Sequence, residues 1–593
     1  MPYIQMADTK PTDEPKPGRP SMVGRFYRLA RAFIAGDARG RARWLLAALL
    51  GLSIAVGAVQ VLISYAARDF VTALANRDEA AFYSNLFRYL GVFAIGIPVG
   101  TFYKFTADRL SLAWRDWLTH HLLRRYFYNR VYYRLRSSTT VDNPDERITE
   151  DVRLFTTNVL GYLLIVINSV ITVVALLGVL WWIAPRLVLA LFGYAAAGTA
   201  LSILIGRRLV GLHFTQYQRE ADFRYGLVRV RDNAESIAFF RGEKREHLDL
   251  ARRFAEVLRV TVGIIGWNRN LAFFTYAYNY VALVVPALIV GPLFMRGQVE
   301  FGVVTQAESA FAQVLMAASL IIAQFDGLSQ SAAGMKRLGE LWDELAEFDA
   351  EDARDAEEAQ IEVSESRRQL KLDDLTVQTP DGSRTLTADL SFTLAPGEGV
   401  LIMGESGSGK SSLLRTIAGL WQSGSGAIER PTLNRMIFLP QRPYMVPGNL
   451  RAQLVYPLAE NAADDDEVKK AFETVNLEEV LARVNGDLSK EVDWTNVLSI
   501  GEQQRVSFAR LFLKKPVIAF LDEATSALDE PNERLLYEHL RALGISWVSV
   551  GHRSTLKPFH DHLITLRVDG SWEVEKLEPE DRKPEKRRKK KAG

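Results

Sequence analysis

The densest chemistry in the sequence lies between residues 400 and 555. Gly404-Glu405-Ser406-Gly407-Ser408-Gly409-Lys410-Ser411-Ser412 follows the apolar run 400–403 (VLIM) and opens the helical run 412–420 (SLLRTIAGL). The spacing G-x-x-x-x-G-K-S, between a strand and a helix, is that of a phosphate-cradling loop. Its glycines let backbone N–H groups turn toward phosphates, and the helix N-terminus adds a favourable dipole. Lys410 is placed to reach the β and γ phosphates, and Ser411 to ligate Mg²⁺. A second apolar run, 517–521 (VIAFL), ends in Asp522 and Glu523. Asp522 is expected to hold Mg²⁺ through water, and Glu523 to polarise the attacking water as general base. The chemistry predicted is ATP hydrolysis, with ATP and Mg²⁺ as cofactors.

These residues need a sheet to hold them. From about residue 369, short β-rich runs (GVLIMG, MIFLP, VIAFLD, WVSVGH) alternate with helical stretches. That alternation predicts an α/β domain, a sheet flanked by helices, over 369–575. The half before it is different. Six apolar stretches, 44–67, 87–107, 159–183, 186–206, 271–294 and 301–325, are long enough to cross a bilayer as helices, for which about 20 residues suffice. The expected membrane domain, 22–343, begins with an Arg-rich amphipathic stretch, 22–36, suited to lying flat on the membrane surface. An acidic linker is expected over 344–368, or in part an exposed helix end. Residues 1–21 read as a disordered tail without the apolar core of a signal peptide. Residues 576–593 read as a basic tail, with anionic lipid as a candidate contact.

Loops 104–158 and 207–270 carry ten and thirteen Lys/Arg, against one each in 69–86 and 295–300, which places the long loops in the cytoplasm. Six spans then leave both termini and the ATPase domain inside. Over the whole chain of 593 residues, 72 basic and 70 acidic residues nearly cancel, so net charge says nothing about nucleic acid; no nucleic-acid partner is expected of a membrane ATPase. There is no cysteine, which excludes disulfides, thiolate metal sites and a catalytic thiol.

Leu498-Ser499-Ile500-Gly501-Glu502-Gln503-Gln504-Arg505 resembles the signature sequence of ATP-binding cassette (ABC) proteins, departing from the common LSGGQ at Ile500 and Glu502. Gln441 matches the Q-loop, Ser526-Ala527-Leu528-Asp529 the D-loop, and His552 the switch histidine. The resemblance implies a helical exporter-type membrane domain joined to the cassette. It also implies a half-transporter working as a homodimer, with the P-loop of one copy facing Ser499, Gly501 and Glu502 of the other and Asp529 nearby. Gln441 is implied to sense Mg²⁺ and the attacking water, and His552 to contact the γ-phosphate. The family usually places an aromatic residue 25–35 positions before the P-loop lysine to stack on adenine. Residues 375–382 (LTVQTPDG) hold none, and Val377 is the candidate there.

The loop segments 143–152 (NPDERITEDV) and 233–243 (NAESIAFFRGE) are similar to those of the group joining peroxisomal acyl-CoA transporters with bacterial SbmA/BacA-type proteins. This implies a BacA-like importer of peptides in the bacterial inner membrane, with acyl-CoA, lipid or cobalamin as alternative cargoes. A membrane-anchored ATPase without transport is a weaker alternative. Asn143-Pro144 is expected to break one helix and start a transverse one that docks near Gln441. In the sixth span, Gln306 and Gln313 are expected to share a face, with Glu308 turned to a cargo cavity that favours cationic peptides. Tyr276, Tyr278, Asn279 and Tyr280 are expected to line that cavity or to pack.

Overall fold

The computed structural model describes residues 22–36, 39–135, 141–323, 325–355, 361–379 and 382–578. The expected tail 1–21 and nearly all of the basic tail lie outside them. The chain divides into two compact units, 1–351 and 352–593.

The first unit is helical. Its helices are α1 (Met22–Ala35), α2 (Arg39–Ala75), α3 (Glu79–Phe127), α4 (Val131–Arg134), α5 (Pro144–Ile183), α6 (Pro185–Asp232), α7 (Ala234–Phe240), α8 (Glu243–Met295), α9 (Phe301–Ala323) and α10 (Phe325–Asp355). Among the described residues, α2, α3, α5, α6 and α8 are long and apolar enough to span a membrane. The sixth expected span is a helix too, α9, and it carries Gln306, Glu308 and Gln313. Part of the apolar face of α1 packs on the protein. Leu29 and Phe33 are buried in the protein, with Phe33 stacked on Trp114.

The segment after Asn143 also differs from expectation. Asn143 takes a left-handed turn (φ 41°) and Pro144 opens a helix, but this helix runs on into the span. It carries two π-type turns, Arg147–Asp151 and Phe155–Val159. The wider turns aim Arg147 and Asp151 inward. Arg147 donates to the Arg337 carbonyl at 2.6 Å and pairs with Asp142 at 2.5 Å, and buried Asp151 pairs with Arg337. Arg147 and Asp151 are thereby tied to α10. The Gln306 amide goes to Ser64 Oγ at 3.1 Å in α2, whereas Gln313 bonds Ser309 on its own helix at 3.0 Å. Seven residues apart on one helix, the two glutamines share a side of α9 but take different partners. Tyr278 stacks on Tyr194 at 4.4 Å, each hydroxyl bonding the other's carbonyl, so it packs; Tyr276 and Tyr280 are exposed.

Residues 344–355 continue α10, the helix-end alternative to a linker, with Leu341 and Leu345 giving that helix a buried side. The second unit begins with β1 (Ile361–Glu365), upstream of the expected boundary, since this strand pairs in parallel with β5 (Gly424–Arg430). β2 (Leu370–Gln378) and β3 (Thr385–Leu394) complete a four-stranded sheet. The second sheet has six strands in the order β10-β9-β4-β8-β7-β6. These are β4 (Gly399–Gly404), β6 (Met436–Leu439), β7 (Ile518–Asp522), β8 (Ser546–Val550), β9 (His562–Leu566) and β10 (Trp572–Lys576). All pairs but β9–β10 are parallel. β4, β7 and β8 are apolar and mostly buried along their length, as expected of strands covered on both faces.

Candidate active site

Four neighbouring parallel strands end on one edge of the six-stranded sheet. Their registers pair Ile402 with Val550, Asp522 with Val550 and Leu439 with Leu521. Whatever follows each strand is therefore delivered to the same place, the carboxyl edge where α/β sheets bind ligands. β4 releases Gly404, β7 ends in Asp522 and leads to Glu523, β8 leads to His552, and β6 to Gln441.

The loop after β4 needs its glycines. Gly404 has φ 156°, and a Cβ there would lie 2.2 Å from the Leu566 carbonyl oxygen. Gly409 has φ 90°, and its Cβ would lie 2.9 Å from that of Leu386. Lys410 starts a helix (Lys410–Ile417) and donates through Nζ to the carbonyls of Gly404 at 2.9 Å and Glu405 at 2.7 Å. Burial lowers the Lys410 pKa, against the pull of Glu523 and Asp522. Ser411 Oγ donates to Asp522 at 3.2 Å. Burial raises the Asp522 pKa; the Ser411 bond opposes this, and Glu523 adds to it. Ser408 Oγ is buried without a partner among the described residues. A desolvated carboxylate, a buried amine and an orphaned hydroxyl fit a Mg²⁺–triphosphate. Glu405, Ser406 and Gly407 are exposed, and Ser412 is half-buried in the first helical turn.

Glu523 sits in the left-handed region (φ 48°), which costs a non-glycine residue about 1–2 kcal/mol. Its N–H donates to the Val550 carbonyl at 3.0 Å. Its carboxylate receives the Gln441 amide at 2.7 Å and stands 3.3 Å from His552 Nε2. Three residues that the sequence singled out separately thus meet at one carboxylate.

Ser499 caps the helix Ile500–Lys514 in a reciprocal box with Glu502. The Ser499 N–H and Oγ donate to Glu502 at 2.8 and 2.9 Å, and the Glu502 N–H returns to Ser499 Oγ at 3.3 Å. Burial would raise the Glu502 pKa, but Arg483 and Ser499 outweigh it and hold the carboxyl below its usual range. Asp529 caps a different helix, Glu530–Ala542, accepting from the Asn532 N–H at 3.1 Å. Among the described residues, no hydrogen bond joins Ser499, Gly501 or Asp529 to the 404–412 loop of their own chain. Val377, the expected adenine platform, is fully buried in β2.

Residues 387–526 match the family model described as ABC transporter, and residues 29–295 match ABC transporter transmembrane region 2. An uncharacterized ABC transporter ATP-binding protein of Synechocystis is 43% identical over 91% of this chain and 83% of its own. The chain belongs to the ABC transporters. The chloroplastic ABC transporter D family member 2 of Arabidopsis thaliana is 36% identical over 94% of this chain and 88% of its own. The lysosomal cobalamin transporter ABCD4 of Homo sapiens is 31% identical over 86% and 89%. The chain is thus an ATP-driven half-transporter of the D type, and its cassette hydrolyses ATP coupled to transport.

The transporter also uses residues that sequence reasoning passed over. Buried Gln504 donates to the Gln441 carbonyl at 3.4 Å and to Ser526 Oγ at 3.1 Å, and accepts from the Ala527 N–H at 3.0 Å. It ties the signature helix to both the Q-loop and the D-loop. From the other side, Arg553 donates to the carbonyls of Ser526 at 2.7 Å and Leu528 at 3.1 Å. Buried Glu533 accepts from Thr525 at 2.7 Å and Thr555 at 3.1 Å. The signal for Gln504 is its place inside the signature run, and for Glu533 its position one helical turn after Asp529.

Proposed function

We propose that two copies of this chain form the working transporter, each pairing its 404–412 loop with Ser499, Gly501 and Glu502 of the other. Gly404, Glu405, Ser406, Gly407, Ser408, Gly409, Lys410, Ser411 and Ser412 hold the nucleotide. Ser411, Gln441 and Asp522 hold Mg²⁺, which neutralises phosphate charge when bound. Glu523 takes the proton of the attacking water, Gln441 orients that carboxylate, His552 contacts the γ-phosphate, and Asp529 lies at the copy-to-copy seam. The observation that carries this reading is the Gln441–Glu523–His552 convergence at the carboxyl edge. The exposure of Ser499 and Ile500 supports the pairing.

Base recognition falls to Arg384. It lies across the hairpin from Thr379, whose N–H donates to the Arg384 carbonyl at 2.9 Å. Its guanidinium donates to the carbonyls of Gly407 at 3.3 Å and Val568 at 3.0 Å, beside the phosphate loop. A planar guanidinium stacks on an aromatic ring where no aromatic side chain is present.

The cargo is a cobalamin-sized polar molecule, a reading supported by the printed function of the human relative. A second reading, import of cationic peptides as in the BacA-like group, is favoured by Glu308, a half-buried carboxylate in α9; acyl-CoA is the third. The likeness to BacA-type proteins favours a bacterial inner membrane, and the Lys/Arg distribution supports an orientation with cassette and termini in the cytoplasm. The test is uptake into proteoliposomes of radiolabelled cobalamin, a fluorescent proline-rich peptide and an acyl-CoA, for the wild type and Glu523→Gln. ATP-dependent accumulation of cobalamin alone, lost in the variant, is expected; accumulation of peptide alone replaces the first reading by the second.

A further inference from the structure

At one end of the helical unit a cavity of about 410 Å³ opens between α1, α2 and α3. Phe33 of α1, Arg41 of α2, and Asp116, Trp117, His120 and Arg124 of α3 line it. The cavity belongs neither to the cassette nor to the middle of the spans. The apolar stretch of α2 starts at Trp44, which is exposed, so Arg41 lies one turn outside it. α3 runs back along α2, with Gly96 level with Val59. Residues 113–124 therefore emerge at the same end as Arg41, where lipid headgroups begin.

The charges in the cavity are unbalanced. Among the described residues, neither Arg41 nor Arg124 meets a carboxylate. Two guanidiniums thus face one carboxylate in the lining, Asp116, whose backbone carbonyl bonds His120 Nδ1 at 2.9 Å. Arg41 also stands in the first turn of α2, where the helix dipole favours an anion. The indole of Trp117 is held against Phe33 at 5.7 Å and supplies the amphipathic wall that suits the interface. We infer that this cavity binds the phosphate of an anionic phospholipid headgroup through Arg41 and Arg124. Lipid is favoured over a soluble phosphate because the cavity adjoins the apolar stretch that acyl chains would cover.

The test uses the purified, delipidated full-length transporter and native mass spectrometry with dioleoylphosphatidylglycerol and dioleoylphosphatidylcholine. The wild type should retain phosphatidylglycerol preferentially. Arg41→Gln/Arg124→Gln should lose about thirtyfold in phosphatidylglycerol affinity, and each single variant about fivefold, with phosphatidylcholine binding unchanged. Arg41→Lys/Arg124→Lys should keep the preference. Unchanged ATP hydrolysis in every variant certifies the fold, and the single variants stand in if the double does not fold. An unchanged lipid preference in folded Gln variants overturns the site. Inorganic phosphate that displaces the lipid at an affinity equal to the lipid's own would make the occupant a soluble phosphate and overturn the lipid assignment.

Discussion

The Gln441 amide donates to one oxygen of Glu523 at 2.7 Å, while His552 Nε2 stands 3.3 Å from the other. A carboxylate held at both oxygens has its lone pairs aimed before any water arrives. Orientation of this kind is what a general base needs first, and basicity second.

Glu523→Gln keeps the shape and removes the base. ATP hydrolysis should fall by roughly 10²–10⁴ while ATP binding persists. Steady-state phosphate release and equilibrium binding of a fluorescent ATP analogue check the two halves. Near-normal hydrolysis in that variant would remove Glu523 from the role.

Gln504→Leu strips three hydrogen bonds from the Q-loop and D-loop and leaves the Ala527 N–H unpaired. A stability cost of about 1–3 kcal/mol is expected, read as a lower denaturant midpoint. kcat should drop roughly tenfold or more with KM for ATP little changed, because Gln504 positions the reacting groups without touching nucleotide. A rise in KM alone would show that Gln504 serves binding.

Arg384→Ala should weaken ATP binding by about fivefold and narrow the preference for ATP over GTP, the loss of one cation–π contact. Titration with both nucleotides measures it. Equal losses for ATP, GTP and inorganic triphosphate would place Arg384 on the phosphates.

His560 gives the cassette a pH dependence. Its Nδ1–H donates to the Leu556 carbonyl at 2.7 Å, and its Nε2 accepts from Ser549 Oγ at 2.8 Å, which in turn meets Tyr537 at 3.0 Å. Burial pushes its pKa down to about 4, against the Leu556 bond and Asp561. The folded state therefore holds it neutral, while the unfolded chain takes up a proton below about 6.5. Stability is full above that value and falls as pH drops toward 4, by about 2 kcal/mol at pH 5 from this group. Melting curves at pH 7 and pH 5 should show a smaller difference for His560→Asn than for the wild type. The same difference in both would assign the loss to other groups.

Some of this was legible in contiguous residues. The 404–412 loop is recognisable because its strand, glycines and helix are adjacent in sequence and each needs only its own backbone. Most of the spans are recognisable because length and apolarity are local properties. In the sixth, the partner of Gln306 is Ser64 in another helix, which no local pattern names.

The sequence alone therefore determined the two-part architecture and the residues able to do ATP chemistry. Tertiary structure decided which of them meet. Gln441 and Glu523 are 82 positions apart, and they touch because β6 and β7 are parallel neighbours in register. In the other sheet, pairing of β2 with β3 and β5 accompanies the burial of Val377, while Arg384 bonds the Gly407 carbonyl of the phosphate loop. It is also tertiary packing that turns Arg147 and Asp151 toward α10. Pairing partners and burial depend on residues far away in the chain, so no local pattern of Gln, Glu or Val encodes them.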